Sequence, residues 1–445
     1  MNDLAERTFL PADQIAFAKL SGDHNPMHMD PVAARRTQAG HPVVHGVHAV
    51  LWALNAAGDH LTGFKALSVR FDRMIYVGDR CVVRLRESRM DGLGLDILVD
   101  GTVVTRIDAG GAVKGKLPAD SEKHSFAIDS TPAFFEAAFP RAAAVLGGAY
   151  LQELAGLSKL VGMVEPGLHS IFGGFAVLRE RSDVENGMRF EIVREDDRFN
   201  LITMSVTGRT LRGQVDAYRR PPPVIQPSCE ELRGRVSPGE FDGVTALVVG
   251  GSRGLGEVTA KLLALGGADV VITYATGDVD ADRVAREIRI AGKSCDIAKL
   301  DVRYPMTQQL GAGRTFNQLY YFATPFISGK RGKGFDLTIL DQMIAIYVEG
   351  FYRTCAHLRS SGPQKIAAFY PSTVYVEERP ANLTEYAMAK AAGEQLCADL
   401  PRMLKNVTAS VRRLPRLPTD QTSSVQPVEM GSAVDEMLAA IRGLG

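Results

Sequence analysis

The chain of 445 residues has few cysteines and no excess of either charge. Its five cysteines are scattered and include no C-x-x-C pair. This pattern disfavours a disulfide framework or a cysteine-rich metal site, and it favours reduced thiols in a cytoplasmic protein. The 51 basic and 51 acidic residues form no long block of one sign. Nothing therefore favours nucleic acid or a membrane surface as the main partner.

Long apolar runs are also missing. No stretch approaches the roughly 18 apolar residues that a membrane-spanning helix needs, and the polar start of the chain does not resemble a secretory signal. Hydrophobic residues make up 45% of the chain and charged residues 23%, as in soluble globular proteins. At this length we expect about three domains.

The first half of the chain predicts an α+β fold that occurs twice. Residues 47–57 are almost entirely apolar and predict a helix that is buried on most sides. Partly alternating segments after it predict antiparallel strands wrapped around that helix. Residues 130–220 weakly repeat the plan. We therefore expect one domain at 1–122 and a degenerate copy at 123–220.

A different pattern follows a proline-rich segment. Three consecutive prolines at 221–223 predict an extended linker over 221–240. The apolar run 244–249 then precedes a glycine-rich turn, a helical segment and a second apolar strand. This order predicts a doubly wound parallel sheet of the Rossmann type over 241–445.

An acid and an imidazole lie five positions apart near the amino end, at Asp23 and His28. Both groups exchange protons, and Asn25 between them can orient them by hydrogen bonding. Gly46 begins the apolar helix, where a backbone N–H stabilises negative charge on a carbonyl oxygen. The set suits the addition of water beside a thioester. The alternative is a purely structural role, in which Asp23 caps a short helix and the histidines are ordinary polar residues.

A second group of residues points to hydride transfer. The glycine-rich turn between strand and helix lets the backbone approach a pyrophosphate. Tyr386 and Lys390 share one face of a helix, where a nearby ammonium lowers the pKa of the phenol. Ser372 and Thr373 end a preceding strand-like run and are both candidate hydroxyl partners. The predicted cofactor-binding residues are Gly250, Gly251, Ser252, Arg253, Gly254, Leu255 and Gly256.

The run DQIAFAKLSGDHNPMHMDPVAARRTQAGHPVVHGV closely resembles the MaoC-like, (R)-specific enoyl-CoA hydratase family. The likeness continues through VRFDRMIYVGDRCVVRLRE. It implies a hot-dog fold, in which an antiparallel sheet wraps a long helix. It also implies that Asp23 and His28 activate a water molecule, that Asn25 orients them and that Gly46 supplies the oxyanion N–H. The weak repeat then corresponds to a second, degenerate hot-dog that shapes the acyl tunnel.

The C-terminal half resembles the short-chain dehydrogenase/reductase family over about 200 residues. The resemblance implies that Tyr386 and Lys390 are the catalytic pair. It further implies that Asp301 contacts adenine and that the segment ending at Thr419 lies near nicotinamide. The second strand ends at Tyr274 without the acid that binds a ribose 2′-hydroxyl, and Arg253 could meet a 2′-phosphate. NADP(H) is therefore favoured over NAD(H), and no metal is expected.

Two departures from this second family bear on turnover. Tyr321-Phe322-Ala323-Thr324-Pro325 replaces the usual Asn-Asn-Ala-Gly, and Tyr347 stands where a helical asparagine completes a proton relay. The leading hypothesis is a bifunctional cytoplasmic enzyme that interconverts 2-enoyl, 3-hydroxyacyl and 3-oxoacyl thioesters of CoA or acyl carrier protein, as a homodimer or higher homo-oligomer. The alternatives are an active hydratase with an impaired reductase-like domain, or a non-catalytic thioester-binding scaffold.

Overall fold

The computed structural model describes residues 2–61, 63–89, 92–113, 117–118, 123–310, 314–327, 334–362, 364–425 and 428–444. The chain divides into two compact units. The first comprises Met1–Pro222 with Ser424–Pro427, and the second comprises Pro223–Ser423 with Val428–Gly445.

One antiparallel sheet organises the first unit. Within the described residues it has ten strands in the order β1-β3-β4-β5-β2-β7-β10-β9-β8-β6. The central pair, β2 and β7, joins the two halves of the unit. The strands are β1 (Asn2–Thr8), β2 (Ala66–Phe71), β3 (Arg80–Arg89), β4 (Gly92–Val99), β5 (Thr102–Gly110), β6 (His124–Phe126), β7 (Ser170–Arg179), β8 (Met188–Asp196), β9 (Leu201–Thr207) and β10 (Leu211–Arg219).

The two halves repeat one strand order. Read outward from the central pair, the first half runs β2-β5-β4-β3 and the second runs β7-β10-β9-β8. Each half therefore places its first, fourth, third and second strand in the same sequence. This arrangement confirms the predicted double hot-dog fold class. The domain boundaries at 122 and 220 stay a prediction.

Two helices lie under this sheet, one from each half. Their apolar residues pack into a single core with the inward side chains of the strands. The helices of the unit are α1 (Pro11–Ser21), α2 (Pro26–Met29), α3 (Pro31–Ala34), α4 (Gly46–Ala57), α5 (Pro132–Ala138), α6 (Pro140–Leu146) and α7 (Gly148–Lys159). The central helix of the first half is α4, and that of the second is α7, which continues as a π-helix over Leu160–Val164.

The second unit contains a parallel sheet flanked by helices, as the Rossmann-type prediction requires. Its described strands run in the order β13-β12-β11-β14-β15-β16. The strands are β11 (Thr245–Val249), β12 (Asp269–Tyr274), β13 (Cys295–Lys299), β14 (Gln318–Tyr321), β15 (Ile366–Thr373) and β16 (Val407–Leu414). The helices are α8 (Cys229–Leu232), α9 (Gly254–Leu265), α10 (Asp278–Ile290), α11 (Leu337–Ile344), α12 (Phe351–Ser360), α13 (Tyr375–Glu378), α14 (Thr384–Met403) and α15 (Ala433–Arg442).

Burial explains why these strands read as continuous apolar runs. In β11, Ala246, Leu247, Val248 and Val249 are all buried, because helices cover both faces of a parallel sheet. In β10, by contrast, buried and partly exposed residues alternate. The five cysteine thiols are buried. Among the described helices, none combines the length and the apolar character needed to cross a membrane.

Truncation of the central helix of the first unit tests this core. Leu51 is fully buried in α4, so Leu51→Ala leaves a cavity and should lower the free energy of unfolding by about 2–5 kcal/mol. Trp52, the only tryptophan in the chain, lies next to it and reports unfolding by fluorescence in urea. The control Ile15→Ala, at a residue 49% exposed, should cost less than about 1 kcal/mol. Equal losses would contradict the assigned core.

Candidate active sites

A tight connection between two short helices places Asp23 inside the first unit. Helix α1 ends at Gly22, whose φ of 76° is left-handed and turns the chain inward. Asn25 then caps α2, because its side-chain oxygen accepts a hydrogen bond from the Met27 N–H at 3.1 Å. The Asp23 carboxylate between these two turns is only 2% exposed.

Both oxygens of this buried carboxylate have defined neighbours. Oδ1 accepts the Asn25 backbone N–H at 3.2 Å, and Oδ2 accepts the Ser158 hydroxyl at 2.7 Å. His28 Nε2 lies 3.9 Å from the same Oδ2. The acid and imidazole predicted to act together therefore converge, with a gap between them that is wider than a direct hydrogen bond.

Backbone oxygens orient the two imidazoles of the site. His28 Nδ1 lies 2.8 Å from the Val43 carbonyl oxygen, which leaves Nε2 facing Asp23. His45 Nε2 lies 3.1 Å from the Asp23 carbonyl oxygen, and its ring stacks on His28 with 3.9 Å between centroids. Burial holds the pKa of His45 well below its usual range, so His45 is a structural support for the loop.

Gly46 opens α4 beside these groups. As the first helical residue, it has an N–H without a partner inside the helix. A Cβ at Gly46 would stand 2.8 Å from the Phe71 ring, so any larger residue would collide with it. The start of α4 therefore has both the N–H and the close packing expected of an oxyanion-binding position.

The second half of the unit completes the site, which the sequence pattern did not indicate. The Asn25 amide donates to the carbonyl oxygens of Gly162 and Leu168, at 3.3 Å each. A Cβ at Gly162 would lie 2.3 Å from Asp23 Oδ1, so only glycine permits this approach. With Ser158, these residues hold the loop that carries Asp23 from a segment about 135 positions away in the chain.

The arrangement can activate water and can also hold a cation. Asp23, His28 and His45 place their ligand atoms within 4.8 Å of one another, a spacing compatible with a metal ion. The expectation of no metal therefore stays a prediction. A carboxylate and an imidazole beside a helix start are also the groups needed to take a proton from water while negative charge develops on a carbonyl oxygen.

In the second unit, the glycine-rich turn joins β11 to α9. Gly250 has a φ of 77°, and a Cβ there would lie 2.9 Å from the Phe322 backbone. A Cβ at Gly256 would lie 2.3 Å from the Gly250 carbonyl oxygen. A Cβ at Gly251 would lie 2.8 Å from the Ile272 side chain. The turn is thus a backbone cradle at a helix start, which fits a pyrophosphate. The helix begins at Gly254, inside the glycine-rich segment itself.

Other predicted cofactor residues have partners within the unit. Arg253 pairs with Asp420 at 3.0 Å, so its guanidinium is engaged by a carboxylate where a 2′-phosphate contact was predicted. The Asp301 carboxylate is likewise engaged by Arg303, at 2.6 Å. Thr419 does reach the cradle, with its methyl 3.7 Å from the place of a Gly254 Cβ. The remaining predicted residues, Ser252, Leu255 and Tyr274, lie in the turn, in α9 and at the end of β12.

Tyr386 and Lys390 lie one turn apart on α14, as predicted. Of the two candidate hydroxyls, Thr373 is the one that interacts with Tyr386, where its hydrogen bonding lowers the pKa of the phenol against the larger effect of burial. Ser372 instead donates to Glu394, since successive side chains of β15 point to opposite faces. The Lys390 ammonium donates to the Pro371 carbonyl oxygen at 2.6 Å.

Tyr347 changes the surroundings of the lysine. Its ring centroid lies 4.0 Å from Lys390 Nζ, and its hydroxyl lies 2.5 Å from Thr324 Oγ1. Tyrosine rings therefore surround the amine where a polar relay residue was expected. Burial lowers the pKa of Lys390 to about 7 and raises that of Tyr386 to about 12. This burial opposes the pKa lowering of Tyr386 that the Tyr–Lys spacing predicts.

Fold and sites together define a hot-dog domain joined to a Rossmann-type domain. The profile of the MaoC like domain matches residues 2–106, and that of the short chain dehydrogenase family matches residues 244–318. The (R)-specific enoyl-CoA hydratase of Aeromonas caviae is 34% identical over 92 residues, which are 19% of this chain and 69% of that protein. The chain therefore belongs to the MaoC-like dehydratase family by its N-terminal part, and its C-terminal part is similar to short-chain dehydrogenases over the matched residues.

Two further similarities cover parts of the chain. The peroxisomal hydratase-dehydrogenase-epimerase of Saccharomyces cerevisiae is 35% identical over 72 residues, which are 16% of this chain and 8% of that protein. A short chain dehydrogenase from Burkholderia cenocepacia, solved with NADP, is 23% identical with a TM-score of 0.41, over 46% of this chain and 92% of that one. The chain spans less than a third of the first curated relatives that it matches.

The lowered pKa of Lys390 predicts a pH dependence of stability. Between pH 7 and 10.5 the folded protein binds fewer protons at this amine than the unfolded chain does. The free energy of unfolding therefore rises with pH through that window, and this contribution is lost as the pH falls to about 7. Lys390→Met removes it. Between about pH 7.5 and 9.5, the wild type should gain up to about 2.5 kcal/mol relative to the variant.

Hydrogen exchange in urea, read on peptides from β15 and corrected for intrinsic rates, measures this difference. The variant Lys365→Met, at the exposed residue directly before β15, is the matched control and should show the wild-type pH dependence. If the free energy of unfolding depends on pH in the same way in the wild type and in Lys390→Met, the lysine is not held in an apolar environment.

Proposed function

We propose that the chain is a bifunctional enzyme of acyl thioesters. The first unit hydrates 2-enoyl thioesters or dehydrates 3-hydroxyacyl thioesters, and the second interconverts 3-hydroxyacyl and 3-oxoacyl thioesters. The product of one reaction is the substrate of the other. The carrier is CoA or acyl carrier protein, and the protein is a cytoplasmic homo-oligomer. The observation that carries the proposal is the convergence of the buried Asp23 carboxylate and His28 beside the start of α4.

Hydration follows from the positions of these groups. Asp23 and His28 bind a water molecule between them, and one of them takes a proton as the water oxygen bonds to C3 of the enoyl group. The group that took this proton then delivers it to C2, so water adds across the double bond and the site returns to its starting state. The Gly46 N–H and the start of α4 stabilise the negative charge on the thioester oxygen. Asn25 and Ser158 hold the carboxylate in place.

The glycine cradle supports a dinucleotide in the second unit, and we favour NADP(H), which supplies hydride when bound. Tyr386 then holds the proton for the ketone oxygen, with Thr373 sharing its hydrogen bond. Lys390 lies one helical turn from Tyr386 and places positive charge near the phenol in its protonated form. Selection of the 2′-phosphate requires that Arg253 leave Asp420 or bind both groups.

One observation favours a second candidate for this unit, a nucleotide-binding domain with weak reductase activity. The Tyr347 ring lies against Lys390, and burial raises the pKa of Tyr386 to about 12. A phenol with this pKa gives up its proton less readily. NADPH binding without reduction of any 3-oxoacyl thioester would establish this candidate.

Two substitutions separate the activities. Asp23→Asn keeps the shape of the side chain but removes the charge, so hydration of a crotonyl thioester should fall about 10²–10⁴-fold. Tyr386→Phe should abolish NADPH-dependent reduction of an acetoacetyl thioester. Each variant should retain the other activity, measured spectrophotometrically on the full chain.

Asp59→Asn is the matched control for Asp23→Asn, because the Asp59 side chain is 98% exposed. Unchanged hydration in Asp23→Asn would reject the assignment of this carboxylate. Hydration lost equally in Asp59→Asn would point to a nonspecific effect of the substitution.

The contacts from the second half predict a graded effect on hydration. Ser158→Ala removes one hydrogen bond to Asp23 and should lower kcat about tenfold. Gly162→Ala places a methyl group 2.3 Å from Asp23 Oδ1 and should lower it further, because the carboxylate must move. Gly63→Ala, where a Cβ would meet nothing within 4 Å, is the matched control. Full activity in Gly162→Ala would contradict this packing.

A further inference from the structure

Arg220 is a buried cation of the first unit that the proposed reaction does not use. It follows β10 directly and is only 6% exposed. Its Nη2 donates to the Leu168 carbonyl oxygen at 2.7 Å, and its backbone N–H donates to the His169 carbonyl oxygen at 3.0 Å. These contacts fix the guanidinium beside the loop that follows the π-helix.

Most of the donor capacity of this guanidinium is unused. Nε carries one N–H and Nη1 carries two, and neither nitrogen has a hydrogen-bond partner among the described residues. The neighbouring Arg219 differs, because it pairs with Glu195 and Glu165. A buried charge without a counter-ion is costly, and an arginine cannot lose its proton to avoid that cost. An anion from outside the chain would satisfy both needs.

The place of Arg220 connects it to the hydration site. The Leu168 carbonyl oxygen that accepts from Arg220 also accepts from the Asn25 amide at 3.3 Å. One backbone oxygen thus separates the guanidinium from the loop that carries Asp23. An anion bound at Arg220 would lie close enough to the acyl site to belong to the same molecule as the reacting thioester.

We propose that Arg220 binds an anionic group of the thioester substrate, a phosphate or a carboxylate. This inference rests on the proposed hydration function. A phosphate belongs to the phosphopantetheine part of the carrier, and a carboxylate belongs to the far end of the acyl chain. Either anion accepts the unused N–H groups in charge-assisted hydrogen bonds.

Three substrates distinguish the two sources. Crotonyl-CoA carries phosphates and a neutral chain, crotonyl-N-acetylcysteamine carries no anion, and a 2-enoyl-N-acetylcysteamine thioester with a terminal carboxylate carries only that group. Hydration kcat/KM is measured on the full chain for the wild type, Arg220→Gln and Arg220→Lys. Arg219→Gln is the matched control, since it removes the adjacent cation that already has carboxylate partners.

The readout is the ratio of kcat/KM for an anionic substrate to that for the neutral one. In Arg220→Gln one of these ratios should fall about tenfold or more. The ratio for crotonyl-CoA falls if Arg220 binds the phosphate, and the ratio for the carboxylate substrate falls if Arg220 binds the end of the acyl chain. Arg220→Lys should restore part of it, and Arg219→Gln should keep the wild-type ratio. Both ratios unchanged in Arg220→Gln would overturn the proposal, because a purely structural role lowers all three activities alike.

The proposed function can fail separately. If the wild type hydrates none of the three thioesters, the hydratase proposal is wrong. Calorimetric titration with 4′-phosphopantetheine and with glutarate then tests Arg220 directly. Binding of either compound to the wild type and to Arg219→Gln, but not to Arg220→Gln, supports the anion site. Equal binding to all three proteins, or binding to none, overturns it.

Discussion

The hydrogen bond between Ser158 and the buried Asp23 carboxylate is the contact on which the first site depends. It joins α7, the central helix of the second half, to the loop of the first half that carries Asp23. Asp23 is 2% exposed, and the hydrogen bonds that its carboxylate accepts from the Ser158 hydroxyl and the Asn25 backbone N–H offset the cost of burying it. The second hot-dog half is therefore part of the proposed hydration site, although it has no acid–imidazole pair at the matching position.

In the second unit, too, the candidate site depends on packing, but its polar groups are buried among apolar and aromatic side chains. Its glycine cradle is built by backbone packing that excludes any Cβ, and it supports nucleotide binding by geometry alone. Its catalytic pair is buried among tyrosine rings, and burial moves the pKa values of Tyr386 and Lys390 away from those of exposed groups.

Local sequence was sufficient where function depends on short spacing. Asp23, His28 and Gly46 lie within one loop–helix segment, and apolar runs such as 244–249 predicted the parallel sheet. Contacts between distant segments were not predictable. A serine inside a helix carries no sign that it will meet an aspartate 135 positions earlier, and only the pairing of β2 with β7 brings them together.

Orientation was the second limit on prediction from sequence. Ser372 and Thr373 were equal candidates in the sequence, whereas the alternation of β15 turns Ser372 toward Glu394. The sequence predicted that Arg253 contacts a 2′-phosphate, whereas the structure pairs its guanidinium with Asp420. The partner of a long, flexible side chain depends on which groups the folded backbone brings near it, so sequence spacing alone does not predict that partner.

The central claim is that Asp23 and His28 act on one water molecule beside a thioester whose oxygen meets the start of α4. A crystal structure of Asp23→Asn with a bound crotonyl thioester tests it most directly. The account predicts the thioester oxygen within hydrogen-bond distance of the Gly46 N–H, with C3 facing residue 23 and His28. A thioester bound elsewhere, or with its oxygen turned away from Gly46, would contradict it.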